Sequence, residues 1–267
     1  MLNIRNAARA IALAVSFVAV NGAIASALPI DTGYDYTNYA PYPAAPGNPA
    51  PSSITDKYWI NIASFPTIPV SPAYVIDPNL AWLTYPGSRW IGPRNVWNSN
   101  ATTNNPYYSI FKKCFCLAPH FNSASLSFRV RNDDNMQIWL NTVLDTLIGP
   151  IPGNYNSGGA SVVATQSQLS YLHAGKNCIY ALLEDTGTAM GFDLTGNFNA
   201  NGLYPYAAAG VDGTFPCACD AHPGPVPNSA GNNPAARLAM PADDDREVVN
   251  AIIKIAEARH RAKLKTQ

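Results

Sequence analysis

The sequence predicts an all-β protein, an antiparallel β-sandwich preceded by a Pro-rich linker and followed by one tethered amphipathic helix. Short apolar or alternating runs recur through the middle of the chain, separated by Gly, Pro, Asn and Asp, with no helical pattern of ~10–15 residues between them. The 267 residues are 47% hydrophobic and only 13% charged, against a usual charged share of ~25%, so the material for a core is ample. The charge balance changes only near the end: residues 28–236 hold 8 Lys/Arg against 12 Asp/Glu, and residues 237–267 hold 7 against 5. With 17 cations and 17 anions in all and no basic cluster, electrostatic nucleic-acid binding is excluded.

Residues 1–27 read as a signal peptide. Arg5 and Arg9 precede the apolar run Ala10–Val20, and Ala25-Ser26-Ala27 supplies a small-residue cleavage site. The run is short of the ~20 residues a spanning helix needs, so the expected product is exported: secreted, at the cell surface, or periplasmic. No transmembrane segment is expected. Residues 28–55 carry prolines 29, 41, 43, 46, 49 and 51 with tyrosines 34, 36, 39 and 42, a composition that predicts an extended linker.

The sandwich is expected over residues 56–220. Its strand candidates are 58–63, 109–117, 124–130, 136–140, 177–183 and 191–196. Over 124–130, Ala124, Leu126, Phe128 and Val130 share one parity, and Ser125, Ser127 and Arg129 the other, which marks a half-buried strand. Residues 221–241 are a second Pro/Gly linker. In 242–267, Asp244 and Glu247 can form a capping box ahead of the stripe Val248, Val249, Ile252, Ile253, Ile255 and Ala256. Arg259, Arg261, Lys263 and Lys265 oppose the dipole at the helix carboxy-terminus. Such a helix needs a surface to pack on: its own domain, a copy of itself, another protein or a membrane surface.

Asn132-Asp133-Asp134-Asn135-Met136-Gln137-Ile138-Trp139-Leu140-Asn141-Thr142 reads as an acid-Asn turn leading into a strand and hairpin, and Leu172–Asn177 as a Leu-x-x-Gly-x-Asn turn that runs into 178–185. With Trp82 and Ser88-Arg89-Trp90-Ile91-Gly92-Pro93 at the entry and Gly191-Phe192-Asp193-Leu194 at the close, these stretches resemble galactose-binding-like jelly-roll domains of secreted bacterial proteins. The resemblance covers about residues 56–200 and implies an antiparallel jelly roll, often a carbohydrate-binding, lectin-like module. Asn141-Thr142 stands where the family usually has Asn-Gly, and the carboxy-terminal cysteines and helix have no counterpart. Read physically, Gly175 supplies a positive φ, and Asn141 and Asn177 bond local backbone.

The five cysteines fall as Cys114-Phe115-Cys116, Cys178 and Cys217-Ala218-Cys219. Each C-x-C places two sulfurs on one strand face. Two such ribbons could be bridged, 114/116 to 217/219, in an oxidising compartment, leaving Cys178 as a buried thiol. The alternatives are unpaired thiols, or a zinc site from these four with His120 and His222, which departs from the usual C-x₂₋₄-C spacing. No catalytic residue is expected: Glu184 is the one glutamate of the sandwich, and G-x-S-x-G, H-E-x-x-H and phosphate-cradling loops are missing. Asp133, Asp134 and Asn135 could hold a structural calcium ion, or simply form a polar turn. For carbohydrate, the residues of choice are Trp97, Tyr107, Tyr108, Arg94 and Asn95, because aromatic faces pack on sugar C–H groups while Arg and Asn bind hydroxyls. Trp90 is expected in the core, and Trp139 on the second face of its sheet. Two functions follow: a non-catalytic exported protein that binds carbohydrate or an extracellular polymer, or an assembly component that self-associates or binds a protein partner through the helix at 242–267.

Overall fold

The structure, a computed structural model, describes residues 26–43, 53–65, 70–99, 101–102, 105–118, 121, 123–201, 203 and 246–265. Its strands are β1 (Ser26–Pro29), β2 (Tyr34–Asp35), β3 (Ala40–Pro41), β4 (Thr55–Phe65), β5 (Ser71–Val75), β6 (Ile91–Gly92), β7 (Tyr107–Leu117), β8 (Ala124–Asp133), β9 (Asn135–Leu140), β10 (Thr146–Ile151), β11 (Ala160–Val163), β12 (Gly175–Asp185) and β13 (Gly191–Ala200). The helices are the single turn α1 (Gln166–Leu169) and the long α2 (Arg246–Leu264). Every strand pairing is antiparallel, as the alternating runs require.

One point of architecture differs from two separate stacked sheets. Apart from β2 and β3, which pair only with each other, the strands form one continuous sheet, β10-β9-β12-β7-β4-β5-β6-β13-β8-β11, with β1 added on β13. The sheet curls until its terminal strands β10 and β11 approach each other, giving a nearly closed, barrel-like fold. Its two halves still face each other: Trp59 and Phe111 meet Phe192 edge-on at 5.4 and 5.0 Å, and Phe115 lies 4.3 Å from Phe198. The short strands β5 and β6 join the halves. Their few rungs leave no periodicity to read in the sequence.

The parity of β8 is as expected, with Leu126, Phe128 and Val130 buried and Ser125, Ser127 and Arg129 exposed. Gly175 has φ +92°, and no atom would meet a Cβ there. Asn141, at φ 56°, donates from Nδ2 to Tyr171 O and Asn177 Oδ1 and accepts from Cys178 N at 2.7 Å. Asn177 Nδ2 bonds His173 O and Gly175 O. These residues tie turns, the role read for them.

Residues 28–55 are corrected where they are described. Instead of a spacer, 26–43 is built into the fold. β1 pairs with β13 from Ser26↔Ala200 to Pro29↔Asn197, across the expected cleavage point. Ile30, Thr32 and Tyr42 are buried. Tyr36 closes over fully buried Lys113, whose Nζ donates to Tyr36 OH at 2.6 Å and Asp31 O at 3.3 Å and lies 4.2 Å from the Tyr36 ring centroid. Buried Asp56 accepts from Gly33 N, Tyr58 N and Trp59 N at 2.7, 2.8 and 3.2 Å. Prolines crowd the second half of that segment, and the first half is open to ladder and turn bonds.

The expected bridges are also corrected. Cys114 is bonded to Cys178, not to Cys217 or Cys219. The β7–β12 register sets the two residues directly opposite, with Cα atoms 4.1 Å apart, so Cys178 is not a leftover thiol. A bonded Cys114 is no thiolate for zinc. Cys116 is disulfide-bonded too, while His120, Cys217, Cys219 and His222 lie outside the described residues, as do residues 1–25 and the linker 221–241.

α2 covers the outer face of β4, β7, β9 and β12. Val248, Ile252 and Ala256 are buried against Ile60, Tyr108, Ile110, Trp139, Tyr180, Leu182 and the Cys114–Cys178 bridge. Trp139 lies on this second face, as its alternation predicts. The stripe read from the sequence is the docked face, and its surface is the chain's own sheet. Burying three such side chains on a prepared apolar face is what makes a single helix stable in water. Asp244, the expected cap, lies outside the described residues.

Candidate functional site

One end of the barrel gathers the turn between β8 and β9, the loop leading from β5 to β6, the loop after β6, and the β12–β13 turn. Trp82 is buried with its ring stacked 4.1 Å from Trp90, and its Nε1 donates to Asp133 Oδ2 at 2.9 Å. Half-buried Trp97 meets Trp82 edge-on at 6.4 Å. Met190 N donates to Trp97 O at 2.8 Å, which holds the Trp97 loop beside the β12–β13 turn. Leu80 and Leu83 project into solvent beside Trp82, and half-buried Tyr155 anchors Leu83 N through its carbonyl at 2.8 Å.

Three carboxyls occupy this end. Asp134 Oδ2 accepts from Thr186 N and Oγ1, both at 2.7 Å, and Asp134 N donates to Glu184 O at 3.2 Å. Asp185 accepts from Gly187 N at 2.9 Å and from the Ser99 hydroxyl. Burial, reinforced by the hydrogen bond to Asp134 and its charge, pushes Asp133 up to about 8. Burial also pushes Asp185 up to about 6, against the Ser99 and Gly187 bonds. Burial would raise Asp134 as well, but bonds from Asp133 and Thr186 and the charge of Lys263 hold it below the usual carboxylate range. Asp133 therefore keeps its proton at neutral pH and donates it to ionised Asp134.

The structure thus brings together residues that the sequence offered as two separate candidates. The guanidinium of Arg94 lies 5.2 Å from the Tyr107 ring centroid and its charge acts on Asp185. Arg94, Tyr107 and Trp97 are half-buried and Asn95 is exposed. Tyr108 is corrected: alternation along β7 turns it to the opposite face, where it is fully buried under α2 with His260 edge-on at 6.1 Å. It cannot reach a ligand. Trp90 is buried, as expected. Trp82, Asp185, Ser99 and Thr186 were not chosen from the sequence. Nothing local links Trp82 to Asp133 across 51 positions.

At the Asp133–Asp134–Asn135 turn, Asn132 is fully buried. Its Nδ2 donates to Asp134 O at 2.7 Å, and its Oδ1 has no hydrogen-bond donor. Among the described residues no three His, Cys, Asp or Glu side chains are grouped closely enough to hold a metal ion by themselves. A cation here would need amide or carbonyl oxygens besides the Asp133 and Asp134 carboxyls, a donor set suited to calcium and not to zinc.

No protein-family profile and no curated protein matches this chain. A solved structure, the crystal structure of the PA14 domain of the MpAFP antifreeze protein, aligns at 16% identity over 42% of this chain and 52% of that chain, with a TM-score of 0.23. This chain thus spans about half the length of that one. So loose a superposition identifies neither family nor function. Among the described residues no helix is long and apolar enough to cross a membrane.

Proposed function

We propose that this is an exported, non-catalytic carbohydrate-binding protein of the cell surface or extracellular polymer, and that it binds at the Trp97–Asp134 end of the barrel. One observation carries the reading: an aromatic loop with its Arg94 and a pair of carboxyls meet at a single strand end. Sugars need both, an aromatic face for their C–H groups and fixed polar groups for their hydroxyls. Trp97 and Tyr107 supply the face, and Arg94, Asn95 and Asp134 the polar contacts. A calcium ion held by Asp133, Asp134 and oxygens of the Asn132–Asn135 turn would displace the Asp133 proton on binding and present open coordination positions to hydroxyls. The disulfides support an oxidising compartment.

The test is retention of the full chain on a panel of polysaccharides and glycans, with calcium or with chelator. Binding lost in Trp97→Ala and reduced by chelator is expected. A folded protein that retains no glycan, or binding indifferent to Trp97→Ala, refutes it. The alternative, assembly through α2, has less support, because the apolar stripe that suggested it is buried against the chain's own sheet.

A further inference from the structure

Two polar contacts fix how α2 lies on its sheet. Lys263 Nζ pairs with Glu184 Oε1, and one turn earlier the Arg259 guanidinium donates to Gln137 Oε1, whose residue stands opposite Leu182 in the β12–β9 ladder. The helix therefore runs along β12 in the same sense. From Lys263 back to Val248 is about 22 Å at ~1.5 Å per residue, and from Glu184 back to Cys178 is about 20 Å at ~3.3 Å per residue. The first turn of α2 accordingly stands over the Cys114–Cys178 bridge, and Val248, Cys114 and Cys178 belong to one buried cluster.

The bridge is sealed. Cys114 is 4% exposed and Cys178 2%, on strands that are themselves flanked, β7 by β4 and β12 by β9. The parity that turns Phe111 and Phe115 into the barrel turns Cys114, with Tyr108 and Ile110, outward under the helix. From outside the sheet, the described residues of that cluster are Val143, in the loop after β9, and otherwise α2 alone. Thiol–disulfide exchange needs a thiolate in contact with a bridge sulfur. With the barrel core beneath and paired strands on either side, the approach is from the outer face, which α2 occupies.

Opening the bridge acts back on the helix. Two unbonded thiols need roughly twice the separation of a bonded pair, while the ladder holds the Cys114 and Cys178 backbones with Cα atoms 4.1 Å apart. The sulfurs part by turning within the layer that Val248 and Ile252 fill. We propose that α2 and the Cys114–Cys178 bridge form a redox-sensitive latch: the docked helix bars external thiols from the bridge, and opening the bridge releases the helix. The two effects are one by linkage, since the factor by which the bonded floor favours docking is the factor by which docking favours the bonded state. The reductant is a small dithiol. Its thiolate attacks one bridge sulfur and displaces the other as a thiolate, which takes up a proton. Its second thiol, losing its proton, then closes on the mixed disulfide, so that two electrons pass to Cys114 and Cys178 and the reductant leaves as a cyclic disulfide. In an exported chain, oxidation of this floor locks the helix down.

The experiment uses the full oxidised chain in native buffer with reduced dithiothreitol as probe. Samples are alkylated at intervals, and opening of the bridge is followed by mass spectrometry on the peptides carrying Cys114 and Cys178, for the wild type, Ile252→Ala and Asn250→Ala. Ile252 is fully buried in the seat and Asn250 is exposed, so the first change loosens docking and the second does not. Ile252→Ala should open at least tenfold faster, since losing a buried isoleucine side chain weakens a packed contact by more than that factor. Asn250→Ala should open at the wild-type rate. Amide hydrogen exchange over 246–264 is measured in the wild type before and after opening: it should quicken at least fivefold in α2 while β8 keeps its rate. Cys116→Ser, which removes the other bridge of β7 and keeps this one, should leave exchange in α2 unchanged. Equal opening rates in the three chains overturn the latch, as does exchange in α2 that ignores this bridge or follows the loss of Cys116 instead. If Ile252→Ala loses the protection of β8, the exchange measurement on the wild type decides alone.

Discussion

Replacing Asp133 by Asn should stabilise the protein at neutral pH, contrary to the usual fate of a nearly buried polar group. In the native chain Asp133 accepts from Trp82 Nε1 and holds its own proton toward Asp134 up to about pH 8, whereas in the unfolded chain it ionises near its ordinary value of 3.8. Between those limits the native state binds the extra proton, so stability falls as pH rises through the window. An asparagine can make the same two bonds, Oδ1 toward Trp82 and Nδ2 toward Asp134, and it carries no charge to lose.

From 3.8 to pH 7.5 the proton represents about 5 kcal/mol at ~1.4 kcal/mol per pH unit. Solvent at the half-exposed Asp134 screens part of that, leaving about 2 kcal/mol as the expected gain. Asp56, Asp185 and Asp193, all raised to about 6 by burial, should weaken both chains between pH 4 and 6 alike. Buried Lys113, lowered to about 7, works in the opposite sense above pH 7, again in both. The difference between the chains should therefore be small at pH 4.5 and grow toward pH 8. Urea unfolding in calcium-free buffer at pH 4.5, 6 and 7.5 measures it. An Asp133→Asn chain that is less stable at pH 7.5, or that tracks the wild type at every pH, would refute the shared proton.

Cys178→Ser opens the bridge to Cys114, which closes a separation of 64 residues. The chain-entropy model puts the loss at about 4 kcal/mol, readable as a lower denaturant midpoint under non-reducing conditions. Gly175→Ala should cost about 1 kcal/mol by the same assay, because the φ of +92° is unfavourable while space for the methyl is open. For glycan retention, Tyr108→Phe should leave binding unchanged, since Tyr108 lies under α2 on the opposite face of β7 from Tyr107. Loss of retention in that variant would show that the wrong face has been assigned.

The strands of the middle region, the parity of β8, the turn roles of Gly175, Asn141 and Asn177, and the docking stripe of α2 are local properties. Each rests on side-chain period or turn chemistry within a dozen positions, so the sequence determines them unaided. The curl of one continuous sheet, the Cys114–Cys178 pairing and the packing of residues 26–43 over Lys113 are decided by register and by contacts between distant strands. Composition is blind to these: Pro-rich text looks like linker whether or not its Tyr36 finds a buried lysine, and a C-x-C ribbon looks bridgeable to any other. The candidate site shows the same division. Its aromatic loop and its acidic turn are each legible, but only tertiary structure brings Trp82 to Asp133 and seats Lys263 of the helix beside Glu184, because two charges or rings far apart in the chain are made neighbours by burial, not by spacing.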